Sequence, residues 1–366
     1  MSVYDYDQIR TTDIPIIVTT MQLGVGILTL PKIVAEIMGS SDGWLVILIS
    51  GIVMLGIGAL IGQVINRFPG QSLLSISNQL LGIWITRFIF LLLALIGLAY
   101  LAVVLRITGM LAKLYFFDLT PIEVLILIFA LVIIYCVAGL RIAIMRICLL
   151  FLPIIIGILI IIFLFNLGHM RWDNLEPYFT ADWRDIVRGT ATALPSYNGI
   201  IIFLFYGYLA KTSPKIPRMI MIGTSVVITL YILVFIFSVG VLGLYTTINT
   251  IFPTIEMAKE AEVPGGFFER LQSIFFAVWM LAIFTSGVFA LDISTMMLES
   301  IFQKVSKITW ILSLAPIGYF LSMIPRNEVE ILSMSSWAAI ALFAVAIPLP
   351  IILLIADRVK RRTAHG

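Results

Sequence analysis

Thr285, Asp292 and Glu299 recur at intervals of seven residues within an otherwise apolar stretch. On an α-helix this interval sets them along one stripe, with about 10.5 Å between successive members. An acid held at the depth of Asp292 in a hydrophobic segment is costly and needs a partner or a task. It reads as half of a gate ion pair, a proton site or a static structural pair. Glu299, near the end of the stretch, reads as a solvated helix-end charge.

A second kind of chemistry sits in the backbone. QLGVGILTLP, residues 22–31, carries Gly24 and Gly26 in the middle of an apolar helix, where each glycine costs roughly 1 kcal/mol relative to alanine. Far downstream, TALPSYNGIIIFLFYG places Pro195, Ser196, Tyr197, Asn198 and Gly199 at the same depth of another apolar segment. Proline removes a backbone donor and the residues after it favour turns. Unwinding at Gly24-Val25-Gly26 and at Ser196–Gly199 would free N–H and C=O groups at membrane depth, tolerable only where they line a cavity or bind something. The half-helices beginning near Gly26, with Ile27 in the first turn, and near Gly199 would aim positive dipole ends at a carboxylate, while freed carbonyls suit an ammonium group. A zwitterionic amino acid is the natural guest, and a small neutral nutrient fits the same groups. Glycines also serve close helix packing, the alternative for Gly24 and Gly26 taken alone. The Pro195–Gly199 cluster favours the break.

The elements that position these groups are membrane helices. The 366 residues are 61% hydrophobic and 12% charged, against roughly 25% charged in an ordinary soluble domain. Mean hydropathy is +1.12. Apolar runs between charges and turn signals predict ten spans, at about 12–37, 43–65, 85–112, 121–139, 142–166, 184–209, 217–244, 267–297, 308–324 and 334–356. The breaks fall in spans one and six, the matching positions of two five-span halves. That is the mark of an inverted-repeat transporter fold, an all-α membrane protein with discontinuous helices 1 and 6 and a site where they meet. One transmembrane domain is expected, with repeat one at about 12–166 and repeat two at about 184–356.

Sorting basic residues by alternating loop puts fourteen of the 23 Lys and Arg on the side of the chain ends, which the positive-inside rule makes cytoplasmic. The start, MSVYDYDQIRTTD, lacks the pattern of a signal peptide, so the first helix is expected to stay. The stretch from Tyr245 to Phe268 then lies outside, with apolar spacing for a short helix over the outer face, either a plain surface helix or a lid. Cys136 and Cys148 lie in apolar runs and read as small buried hydrophobes, and His169 and His365 are too few for a histidine metal site. Neither a nucleophile elbow nor a phosphate-binding loop is present. An enzyme, a cofactor and a nucleic-acid partner are not expected; the lipid bilayer and a small molecule are.

These residues resemble the amino acid–polyamine–organocation superfamily, whose fold is LeuT-like, and more narrowly the B subunit of GerA-type spore germinant receptors. The pieces that carry the resemblance are GVGILTLP in span one, LTPIEVLIL entering span four, FPTIEMAKEAEVPGGFFERLQSIFFAVWMLAIF and the short basic tail. The resemblance implies a nutrient-sensing subunit in the spore inner membrane, acting with an A-type and a lipoprotein C-type subunit and triggering germination. The alternative is a proton-coupled amino acid permease working through Asp292, and a scaffold that merely holds partner subunits is a third class. In the fold resembled, span three faces the unwound segments, so Tyr100 is placed to hydrogen-bond a ligand carboxylate or, alternatively, a neighbouring helix. Phe203, one turn past Gly199, becomes an apolar wall or ordinary core. Span eight lines the pocket in such folds, which assigns Thr285 to side-chain selection. A gate between the N-terminal segment and span eight implies Arg10 as the partner of Asp292, with Arg146 second.

Overall fold

The computed structural model describes residues 8–24, 26–260 and 271–365. Hydrocarbon offers main-chain N–H and C=O groups no partners, so an apolar chain of this composition closes its hydrogen bonds within helices. Among the described residues the one extended pairing is a parallel bridge between Ile9 and Ala210.

The first span is α1 (Ile14–Gln22) and α2 (Gly26–Met38), which meet at a bend of 56°. Next come α3 (Gly43–Arg67), a short α4 (Leu73–Leu81), α5 (Ile83–Tyr115), α6 (Ile122–Ala138) and α7 (Arg141–Asn166). The sixth span is α8 (Trp183–Ala193), a 3-10 turn (Leu194–Tyr197) and α9 (Gly199–Tyr206). Beyond it lie α10 (Ile216–Leu242), the short α11 (Leu244–Asn249) and α12 (Pro253–Lys259), then α13 (Leu271–Ile301) and α14 (Lys307–Ser322). The chain closes with α15 (Glu328–Ala346) and α16 (Pro348–His365). Among the described residues, six helical stretches are by themselves long and apolar enough to cross a bilayer, and the bent pair α1–α2 qualifies together. The remaining expected spans correspond to shorter helices, an order consistent with the ten-span reading.

Three details depart from the sequence reading. The tenth span is two helices because Pro348 cannot donate to the turn before it. The outer stretch after span seven forms α11 and α12 rather than one helix, and its residues 261–268 lie outside the described segments. The helix α4 has no counterpart in the expected spans; Ser72 accepts from the Ser75 amide to start it, and Gly82, at φ 87°, turns the chain into α5.

Two anchors hold the broken spans. The hydroxyls of Thr19 and Thr20 donate to Gly223 O of α10 (3.0 Å) and Cys148 O of α7 (3.1 Å), clamping α1 between those helices. At the other end, fully buried Asp42 follows α2 and captures the loop that leads into α8. Its carboxylate accepts from the amides of Phe179 (2.7 Å), Thr180 (2.6 Å) and Ala181 (3.0 Å). Phe179 sits at φ 56°, a left-handed conformation that costs an L-residue roughly 1–2 kcal/mol and persists here because the carboxylate holds its amide. Replacing Asp42 by asparagine turns one acceptor into a donor facing amide hydrogens. The expected loss is about 1–3 kcal/mol, read as a lowered unfolding temperature of the purified protein in detergent; an unchanged temperature would deny the latch.

Candidate functional site

The two breaks touch each other at Gly26 and Gly199, and Gly24 packs against α13, which explains the three glycines. A Cβ on Gly199 would collide with the Met21 carbonyl, and one on Gly24 with Ser286 Oγ. On Gly26 it would lie 2.9 Å from Tyr231 Oη and 3.0 Å from Ser196 O. Tyr231, fully buried on α10, spans the gap: its hydroxyl lies 2.6 Å from Gln22 O and 3.0 Å from Ser196 O, one carbonyl from each unwound segment. A buried carbonyl deprived of its helical donor costs about 1–3 kcal/mol, and the single Tyr231 proton, closer to Gln22 O, is shared between two such groups, which offsets part of that cost at both breaks.

The bend of the first span has a further support. Pro31 lacks the N–H that would bond the Ile27 carbonyl one turn earlier, and buried Thr254 of α12 supplies it, donating to Ile27 O at 2.8 Å. The outer short helix is therefore pinned to α2 by the group that a proline set free. Asn166 at the end of α7 adds a donor to Met257 O at 3.1 Å.

Between the breaks lies a cavity of about 450 Å³. Its walls come from α1 and α2 (Gln22, Gly24, Gly26, Thr29), α5 (Tyr100), the second break (Pro195, Ser196, Asn198), α8 (Thr192) and α15 (Ser335, Ser336). No described wall residue carries a charge. A smaller recess below it is lined by Tyr100, Asn198 and Ser286 together with Gly97 and Phe205.

Of the expected site residues, Gly24, Gly26, Tyr100 and Asn198 converge on this cavity, while Gly199 holds the breaks together behind it. Val25 lies outside the described residues. Four others are placed elsewhere. Ile27 is buried, its carbonyl held by Thr254. Tyr197 turns away and donates to Ile47 O of α3 at 2.9 Å. Phe203 is fully buried core, because α9 resumes its regular turn before that position. Thr285 bonds Ala282 O of its own helix at 2.8 Å, and the neighbouring Ser286 takes the recess. One residue along a helix is about 100° of rotation, and span length does not fix that phase.

The gate ion pair also differs. Asp292 is fully buried, and both its oxygens lie 3.3 Å from Arg141 Nε; the Tyr206 hydroxyl donates at 2.6 Å and Lys307 Nζ stands at 3.6 Å. Arg141 reaches on to Glu299 at 2.7 Å, and Lys307 donates to Gly139 O at 2.8 Å. The cation therefore comes from the start of α7, not from Arg10 or Arg146. Arg10 is exposed, and its segment is fixed by main chain instead: Ile9 N donates to Leu209 O (2.8 Å) and Lys211 N to Ile9 O (2.9 Å). Glu299 is no free helix-end charge, since it shares Arg141 with Asp292. Two acids and two bases thus balance at the junction of α7, α9, α13 and α14.

Comparison with known sequences decides the family. A family model described as spore germination protein matches residues 8–331. The chain belongs to the spore germination protein family. The germination protein is 30% identical over 361 residues to spore germination protein GerLB of Bacillus cereus, covering 98% of this chain and 96% of that one. It is 28% identical to spore germination protein A2 of Bacillus subtilis (strain 168) over 346 residues, 94% of each, and 25% identical to YndE of the same organism over 357 residues, 97% of this chain and 98% of that one. Among solved structures it is similar to MhsT in complex with L-phenylalanine, with a TM-score of 0.66 at 15% identity, covering 94% of this chain and 97% of that one. Mhp1 in its inward-facing conformation gives a TM-score of 0.64 at 13% identity, over 98% and 79%. The germination protein is thus a multi-pass, all-α membrane protein with the LeuT-like fold, as the resemblance in its sequence implied.

The site residues that the sequence alone does not single out are Gln22, Ser286, Tyr231, Arg141 and Lys307. Gln22 adjoins the first break, and Ser196 enters through its backbone and side chain as part of the second. Arg141 and Lys307 open their spans, a position that reads equally well as interfacial.

Proposed function

We propose that this germination protein is the nutrient-sensing subunit of a spore germinant receptor and binds a small germinant, an amino acid, where its two broken helices meet. The observation that carries the reading is the cavity of about 450 Å³ built from both breaks, where hydroxyl, amide and backbone groups are set in a largely apolar wall that includes Met21, Ile33, Val103 and Ile340, with no charge among the described residues. Freed backbone N–H groups suit a carboxylate and freed carbonyls an ammonium, so a zwitterion needs no ionised partner there. MhsT, of similar fold, holds L-phenylalanine. Occupancy would bias the assembly with an A-type and a lipoprotein C-type subunit toward germination, in the spore inner membrane with both chain ends on the cytoplasmic side. The two repeats, 12–166 and 184–356, each contribute one break to the site. The balance of Asp292 by Arg141 and Lys307 favours a gate over a proton carrier at that position.

Titration of the purified full chain with the twenty L-amino acids, a hexose and a nucleoside tests this by calorimetry. Amino acids with uncharged side chains are expected to bind. Those with acidic or basic side chains should bind at least about 100-fold more weakly, because a side-chain charge would enter a cavity with no counter-ion. Binding of the hexose or nucleoside with no amino acid bound would reject the reading.

A further inference from the structure

Gln22 is the last residue of α1 before the first break and lines the cavity while being only 2% exposed. Its amide is held in one orientation by its neighbours. Nε2 lies 3.2 Å from Val18 O and 3.2 Å from Thr224 Oγ1. A carbonyl oxygen can only accept. The fully buried Thr224 hydroxyl spends its proton on Ile220 O at 3.1 Å, so it too offers Gln22 lone pairs. Reversing the amide would set Oε1 against the Val18 carbonyl and would take the Thr224 proton away from Ile220 O, so the N–H₂ faces Val18 and Thr224. Oε1 is left at the opposite corner of the amide, and among the described residues it meets no donor.

A buried amide oxygen without a partner is unusual and costly, and this one belongs to a residue that lines the cavity. We propose that Gln22 Oε1 is the acceptor for the protonated amine of the bound germinant, with Thr224 as the residue that positions it. The inference rests on the reading of the cavity as an amino acid site and adds to it the recognition of the ammonium group. The ligand class that follows is a primary amine beside a carboxylate. The matching acid with hydrogen in place of the amine lacks the donor and leaves Oε1 unpaired.

The test uses the purified full chain and, as probes, the tightest-binding of the twenty L-amino acids and its des-amino acid. Gln22→Met keeps the length and apolar shape of the side chain and removes the acceptor. It is expected to weaken the amino acid at least about tenfold, the scale of a hydrogen bond to a charged group, while changing the des-amino acid by less than about twofold. Thr224→Val, which removes the lone pairs that orient the amide, should weaken the amino acid selectively, and Thr224→Ser should restore it. Retained binding of the des-amino acid reports that each variant still forms the cavity. Equal losses for both probes, or no loss for the amino acid in Gln22→Met, would overturn the inference with the cavity reading intact. Absence of any amino acid binding to the unmodified chain would instead overturn that reading.

Discussion

Replacing Gly26 by leucine is expected to weaken the tightest amino acid at least about 100-fold, roughly 2.7 kcal/mol, while the protein still inserts and purifies as a folded species. The new Cβ would lie 2.9 Å from Tyr231 Oη and 3.0 Å from Ser196 O, and neither has room to withdraw. Tyr231 is tied to Gln22 O at 2.6 Å, and the segment bearing Ser196 is pressed onto α1 through Gly199 and Met21. The rest of the side chain would enter the cavity, taking volume that a small ligand needs. Gly26→Ala should show an intermediate loss, since only the Cβ clash remains. The control is Gly56→Leu on exposed α3 surface, where an added Cβ meets nothing within 4 Å, and binding should not change. Calorimetric titration of the three variants, with unfolding temperatures recorded alongside, decides the matter. Normal binding by Gly26→Leu would mean that the germinant site lies elsewhere.

The second large effect is on stability. Arg141→Leu removes the one side chain that, among the described residues, touches both Asp292 and Glu299, leaving fully buried Asp292 with Tyr206 and a lysine 3.6 Å away. Breaking a buried ion pair costs about 3–5 kcal/mol, and the surviving Lys307 places this case near the lower end, about 3 kcal/mol. Glu299 contributes little to the loss, because its side chain is 34% exposed and can turn to water. The double variant Arg141→Leu with Asp292→Asn should recover part of the deficit, since the stranded charge goes with its partner. Arg141→Lys should recover less than the wild-type stability, because an ammonium cannot hold two oxygens of one carboxylate and reach a second acid in the same pose. Thermal unfolding in detergent reads all three. A single variant as stable as the parent would show that the four-helix junction does not hold this end closed.

How far the sequence foretold the protein depends on whether a feature is local. The breaks were legible because Gly24, Gly26 and the Pro195–Gly199 run violate helix rules where they stand, and the apolar runs fixed the spans on either side. Tyr100 and Asn198 followed, being polar groups at mid-span depth. What failed was phase and partnership. Thr285 against Ser286 is a rotation of one residue, set by how α13 packs on α5 rather than by the spacing of its own polar groups. The resemblance points to Arg10 for Asp292, with Arg146 of α7 second, whereas the structure supplies Arg141 at the start of α7, 151 residues away. Tyr197 sits in the break yet bonds α3, because a turn directs neighbouring side chains to opposite sides. The support for the bend was readable in principle: Pro31 frees the Ile27 carbonyl, and only the fold reveals that Thr254 answers it.

The central claim is that two unwound segments meet and enclose a small nutrient. Its most direct test is an experimental structure of the purified chain with its tightest amino acid bound. The account predicts ligand density between Gly24–Gly26 and Ser196–Asn198, with the amine toward Gln22. Density at another place, or first and sixth spans running as unbroken helices through that depth, would contradict it.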